Sequence, residues 1–116
     1  MTDLLGLGIN FFNAGRYFEA HETWEDLWRM TQGPRRLFYQ GLVQAAVGLH
    51  HLRHGNLNGA RAQLTKSVAK LTGYPSSFCE IENEKLVNDL RRILQEEEWR
   101  PIMIVRNQKP VVQSEG

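Results

Sequence analysis

Cysteine is nearly absent from this chain. Cys79 stands alone among 116 residues, which excludes an intrachain disulfide and a zinc site built from several thiolates. A disulfide-free chain suits a reducing compartment. No stretch reaches the roughly 18 uninterrupted apolar residues that a membrane helix needs. The opening Met1-Thr2-Asp3-Leu4-Leu5 has no basic segment followed by a long apolar run, so a secretory signal is not expected. These absences together set a cytoplasmic location as the expectation, with no membrane partner. Charge of one sign is missing as well: the formal net charge is +1, and nothing marks a polyanion binder. The pairs Arg35-Arg36 and Arg91-Arg92 read as helix-end or surface residues rather than a nucleic-acid patch. A phosphate-binding loop and a Gly-x-Ser-x-Gly element are both lacking, which argues against nucleotide hydrolysis and the usual serine-esterase architecture.

What is present is helical periodicity along nearly the whole chain, without convincing strand alternation. The first helix is expected from Asp3 to about Asn13, capped by Thr2 and stopped at Gly15. A second covers about Tyr17 to Met30. After the Gly33-Pro34 break, with Pro34 in the first turn, a third runs to about His54. A fourth spans about Leu57 to Thr72 and a fifth about Asn83 to Glu97. Ser77-x-x-Glu80 reads as a capping box for an earlier start of the fifth. Length fits one domain with a real hydrophobic core. The expected fold is therefore all-α: a single compact bundle of about five helices over residues 1–100, built from helical hairpins. Residues 101–116 are expected as an extended or partly disordered tail, with Pro110 onward mobile.

An internal echo supports the hairpins. Gly15-x-Tyr17-x-x-Ala20-x-x-x-Trp24 recurs forty residues later as Gly55-x-Leu57-x-x-Ala60-x-x-x-Leu64. In each copy glycine ends one helix and alanine lets the next approach closely. Tetratricopeptide repeats use similar chemistry at a shorter period, so two helical hairpins fit better than a solenoid.

The chemistry-bearing residues gather on the second and third helices. His21-Glu22-x-x-Glu25 places an imidazole and a carboxylate four residues apart on one side of a helix. On a helical wheel Tyr17, Ala20, Trp24, Leu27 and Trp28 form the apolar stripe, His21 falls inside it, Glu25 lies at its edge, and Glu22 points away. Both tryptophans are read as packing residues. The third helix is apolar nearly all round, as central helices are, except for a narrow stripe of Gln40, Gln44 and His51. Gly41 and Gly48 leave low points for a neighbouring helix. An antiparallel pairing of the two helices would let His21, Glu25, Gln40, Gln44 and His51 converge in a shielded pocket, a reasonable set for a divalent transition metal. Asn13 is read as stabilising the turn before Gly15, and His54 as a partner of the helix dipole.

These residues resemble the family called domain of unknown function 309, whose members are sometimes labelled predicted metal-dependent hydrolases. The likeness is carried by Phe12-Asn13-Ala14-Gly15-Arg16-Tyr17-Phe18-Glu19-Ala20-His21-Glu22-Thr23-Trp24-Glu25 with Trp28, by Tyr39-Gln40-Gly41-Leu42-Val43-Gln44, and by His51 with Gly55-Asn56-Leu57-x-Gly59-Ala60. The resemblance implies an all-helical domain and, through the label, a metal site.

Two function classes follow. In the first, the chain is a metal-dependent hydrolase: His21, Glu25 and His51 hold a Zn or Mn ion, Gln40 and Gln44 orient water or substrate, and Glu22 serves as base if it turns inward. In the second, the chain is a non-enzymatic helical interaction module, and its His/Glu cluster is a structural hydrogen-bond network. The zincin motif has a second histidine where this chain has Glu25, so His21-Glu22-x-x-Glu25 is far less specific than a protease signature. A third reading places function on a homo-oligomer surface, to which Leu86, Leu90, Trp99 and Ile102 could contribute; core packing accounts for these residues equally well.

Overall fold

The computed structural model describes residues 2–107. Among them five helices follow in order: α1 Leu4–Asn13, α2 Tyr17–Arg29, α3 Pro34–Arg53, α4 Leu57–Leu71 and α5 Asn83–Glu96, with a small hairpin of β1 Ser77–Phe78 and β2 Ile81–Glu82 ahead of α5. The all-helical expectation holds, with the hairpin as the one addition. No helix among the described residues is long and apolar enough to cross a membrane.

The helix ends follow from local chemistry. The cap of α1 is Asp3, not Thr2: its carboxylate accepts the Gly6 N–H at 3.0 Å and also receives Arg106 at 2.8 Å. The carboxylate offers one oxygen to the helix N-terminus and the other to the guanidinium. Gly15 and Gly55 close α1 and α3 at φ +77° and +78°, the left-handed conformation that favours glycine. The echo therefore corresponds to two equivalent interhelical turns. Its alanines, Ala20 and Ala60, and its large residues, Trp24 and Leu64, are all buried.

The central helix is α3, whose Phe38, Leu42, Ala45, Ala46 and Leu49 are fully buried. Its glycines are the low points that α4 exploits. A Cβ on Gly41 would lie 2.8 Å from Leu71, and one on Gly48 would lie 2.6 Å from Leu64. Ser67 of α4 donates to the Gly41 carbonyl at 2.7 Å, so the buried hydroxyl is satisfied.

Between α4 and α5 the expected capping box is a β-hairpin instead. Cys79 and Glu80 form its two-residue turn at φ 51° and 63°, and Phe78 pairs with Ile81. Glu80 turns toward Arg106, 3.5 Å away, rather than back to Ser77. The β2 edge then takes a third segment: Glu82 N–H donates to the Val105 carbonyl at 2.9 Å, and Ile81 bridges Arg106. Ile102 and Ile104 of this extended segment belong to the core. Residues from Pro110 onward, expected to be mobile, lie outside the described residues.

The apolar residues around the fifth helix take the packing role rather than an exposed one. Leu86, Leu90 and Ile102 are core residues. Trp99 is packed against that core, donates to the Tyr17 hydroxyl at 3.1 Å and is covered by Arg53.

Candidate functional site: a cleft between three helices

The antiparallel pairing of α2 and α3 sets Trp28 beside Gln40 and His21 beside Val47, and α4 closes one side with Gln63. The result is a half-open cleft of about 250 Å³. From α2 come His21, Glu25 and Trp28; from α3 come Gln40, Val43, Gln44 and Val47. Four of the residues expected to converge, His21, Glu25, Gln40 and Gln44, do share one cavity. His21 Nε2 lies 3.6 Å from Glu25 Oε1, and Glu25 also faces Arg29 at 3.4 Å.

His51 is placed elsewhere. It lines a second cavity of about 290 Å³ with Phe18, His21, Val47 and His50, which does not include Glu25. Among the described residues no three His, Cys, Asp or Glu side chains are grouped to hold a metal ion, so His21, Glu25 and His51 are not gathered as a three-ligand set. The reason is axial. Gln40, Gln44 and His51 share a face, but at about 1.5 Å per residue His51 stands roughly 10 Å beyond Gln44 along α3. There its Nδ1 is 3.4 Å from the Asn56 carboxamide, at the start of α4. His21 sits between the two cavities and belongs to both. Glu22 is exposed and lines neither.

All four histidines of the chain, His21, His50, His51 and His54, collect at this end of the α2–α3 pair. Phe18 packs against His21 and His50, with ring centres 5.7 and 5.8 Å apart, and His50 stacks on His54 at 4.3 Å. Burial first, then the nearby His54, His51 and His21, hold His50 below the usual imidazole range, with Glu19 opposing. His54 caps α3, its Nδ1 2.8 Å from the His50 carbonyl. A histidine there meets the negative end of the helix dipole, as expected.

Two residues that sequence reasoning left out of the site complete the cleft: Gln63 and Trp28. The three indoles differ. Trp24 is fully buried and donates to the Leu5 carbonyl at 3.2 Å, and Trp99 donates to Tyr17. The Trp28 Nε1–H is buried without a partner among the described residues, and so is Gln44 Oε1. Trp28 is held in place by Arg36, whose guanidinium lies 4.2 Å from the indole centre and donates to the Trp28 and Thr31 carbonyls at the end of α2. No sequence signal distinguished Trp28 from Trp24, since both lie on the apolar stripe.

Asn13 also departs from its expected role. Its carboxamide does not stabilise the Gly15 turn but grips Ile104 of the extended segment. Cys79 is half-buried, its thiol 3.8 Å from the Tyr39 hydroxyl, and burial pushes its pKa up. An activated thiol needs the opposite shift.

Residues 5–63 match the family model described as a domain of unknown function, DUF309, and the chain belongs to that family. It is 37% identical over 61 residues to the uncharacterized protein YpuF of Bacillus subtilis (strain 168), covering 52% of this chain and 35% of that protein. It is 26% identical over 68 residues to an uncharacterized protein of Aquifex aeolicus (strain VF5), covering 58% of this chain and 20% of that one. The chain thus spans about a third or less of the length of these relatives. The matched region contains every residue that lines the cleft.

Proposed function

We propose that this member of the domain of unknown function 309 family is a helical binding module whose α2–α3–α4 cleft takes a small polar group. The observation that supports it best is the convergence of His21, Glu25, Gln40, Gln44 and Gln63 on one half-open cavity with apolar walls at Val43 and Val47. A few placed polar groups on an apolar lining are the usual make-up of a ligand site. A merely structural network would bond its members to one another, whereas Gln44 Oε1 and Trp28 Nε1 find no partner among the described residues. The test is a fragment screen by ¹⁵N–¹H correlation spectra, using neutral, anionic and cationic fragments at millimolar concentration. Binding should shift the side-chain amides of Gln40, Gln44 and Gln63. Spectra in which no fragment moves these amides would remove the proposal.

A second reading is metal-dependent hydrolysis, favoured by the contact of His21 with Glu25 at the mouth of the same cleft. The residues present do not supply a closed set of three ligands, so no catalytic step is derived through a metal. Calorimetry with Zn²⁺ and Mn²⁺ on wild type, His21→Ala and His51→Ala decides it. Stoichiometric binding lost in both folded variants would establish a shared centre, and no binding by wild type would exclude one.

A further inference from the structure

We infer that the open face of the α2–α3–α4 layer is a self-association surface, and that its occupant is a second copy of this chain related by a twofold axis along α3. The inference goes beyond the binding-module reading and does not depend on it.

The face centres on α3, which packs between α2 and α4. The stripe it leaves between them is Leu37, Gln40, Gln44, Val47 and His51, without a Lys, Arg, Asp or Glu along its length. This stripe is open. Gln40, Gln44 and Val47 line the half-open cleft, and Leu37, one turn before Gln40, is 55% exposed. At the other end His51 shares its cavity with Phe18, which is 50% exposed. An uncharged strip with large apolar residues at both ends, rimmed by charge, is built like an interface.

The two rims carry opposite charge. α2 has four carboxylates, Glu19, Glu22, Glu25 and Asp26, against Arg29 alone, whereas α4 has Arg61, Lys66 and Lys70 and no carboxylate. Arg61 is paired with Glu97, but Lys66 and Lys70 have no carboxylate partner among the described residues. Both follow Gln63 at helical spacing on the side of α4 that meets the cleft, and Lys70 lies beside Gly41 of α3. On α2 Glu25 lines the cleft, and Glu22, three residues before it, is exposed at the outer rim. The heights match as well. Glu22 and Glu25 stand between the levels of Val47 and Gln40. Leu64 meets Gly48 and Ser67 meets Gly41, which puts Lys66 between the same levels.

Two copies set face to face have their twofold axis in the plane between them. An axis across the helices would lay each rim on its own twin, acid on acid and base on base. An axis along α3 lays α2 of each copy on α4 of the other, so that Glu22 and Glu25 meet the partner's Lys66 at one height. Charge rejects the first arrangement and selects the second. The area suffices: α2 has 13 residues and spans about 20 Å, and three helices side by side are roughly 28 Å wide. That footprint is comparable with a standard interface of about 800 Å² per partner. A second copy seated there also roofs the half-open cleft, so a small polar group bound in it would lie between the two copies.

The test is the association state of the whole chain, read by sedimentation equilibrium from micromolar to near-millimolar concentration at low and high salt. Wild type should show a monomer–dimer equilibrium that weakens as salt screens the rims. Lys66→Glu and Glu22→Lys, both at exposed positions where folding is not threatened, should each weaken the dimer about tenfold or more by setting like charges together. The variant carrying both changes should recover the dimer, because each reversed residue then meets a reversed partner. Leu37→Ser should weaken it at every salt concentration. A wild type that stays monomeric throughout overturns the inference, and so does a dimer that none of these changes weakens. Single reversals that the double variant fails to repair overturn the pairing of α2 with α4, and a dimer strengthened by Glu22→Lys would lay α2 on α2 instead. No ligand enters the experiment, so each of these failures leaves the small-group reading to its own fragment screen.

Discussion

The side chain of Asn13 pairs with both backbone groups of Ile104: Nδ2 donates to the carbonyl at 3.0 Å, and Oδ1 accepts the N–H at 2.7 Å. Ninety-one residues separate the partners in sequence, and the contact fastens the extended segment across the end of α1. Removing it leaves a partly buried N–H and C=O without partners. Asn13→Ala is expected to cost about 1–3 kcal/mol, read from the urea midpoint at unchanged slope. The Ile104 amide should exchange with solvent far faster in the variant, while amides within α3 lose only the global difference.

Gly8 of α1 lies beneath the indole of Trp24. A Cβ there would overlap Trp24 Nε1 and Cδ1, and the ring is fully buried with its N–H committed to Leu5. Alanine for glycine inside a helix normally stabilises by about 1 kcal/mol. Here overpacking reverses the sign, with a penalty of about 1–3 kcal/mol. Gly8→Ala should lower Tm and red-shift or broaden the tryptophan emission. An unchanged or raised Tm would show that α1 can move away from α2.

His50 makes stability depend on pH in a defined direction. Its neighbours are Phe18 and Glu19 on α2, His21 across the cavity, and His51 and His54 on its own helix. The folded chain holds His50 below the ordinary histidine value of about 6.5, so the unfolded chain binds its proton more readily. Stability is therefore complete above that value and falls as pH drops from it through the lower folded value. Chemical denaturation from pH 7.5 to 5 should show this loss, and His50→Gln should reduce the slope over that window. A slope unchanged in the variant would show that His50 is not the source of the loss.

The parts of the molecule legible in sequence are those decided within one or two helical turns. The five helices and the Gly15 and Gly55 turns depend on local periodicity and on the left-handed glycine, so they could be read directly. The Ser77–Glu82 hairpin could not: its strands are two residues each, and its turn is Cys79-Glu80 rather than the Asn-Gly type that signals a tight hairpin. A helical wheel gave the faces of Gln40, Gln44 and His51 but discarded height along α3, which is why His51 falls in the neighbouring cavity. Asn13 departs from its expected role for another reason: its partner, Ile104, comes from a distant element that no local pattern announces. Trp28 packs against the core as its stripe position implies, but its place on the cleft wall depends on α3 and could not be read locally.

The polar residues of the cleft should contribute little to stability, and this separates a binding site from a packing network. The His21–Glu25 contact is 3.6 Å long with both side chains partly exposed, so a double-mutant cycle of His21→Ala and Glu25→Ala at pH 7 should give a coupling below about 1 kcal/mol. Gln44→Met is the sharper case. It replaces a buried carboxamide oxygen that has no partner among the described residues by an apolar group of similar length, which relieves an unmet desolvation cost of about 1–3 kcal/mol. The variant should melt at the same temperature as wild type or higher. Were Gln44 instead a strut of the fold, the same change would destabilise it by breaking a bond that the native side chain makes. A polar residue whose removal stabilises the chain is held at a cost to folding, and such costs concentrate where proteins bind or react. Measured together, a neutral or raised Tm and lost fragment binding would identify Gln44 as a binding residue.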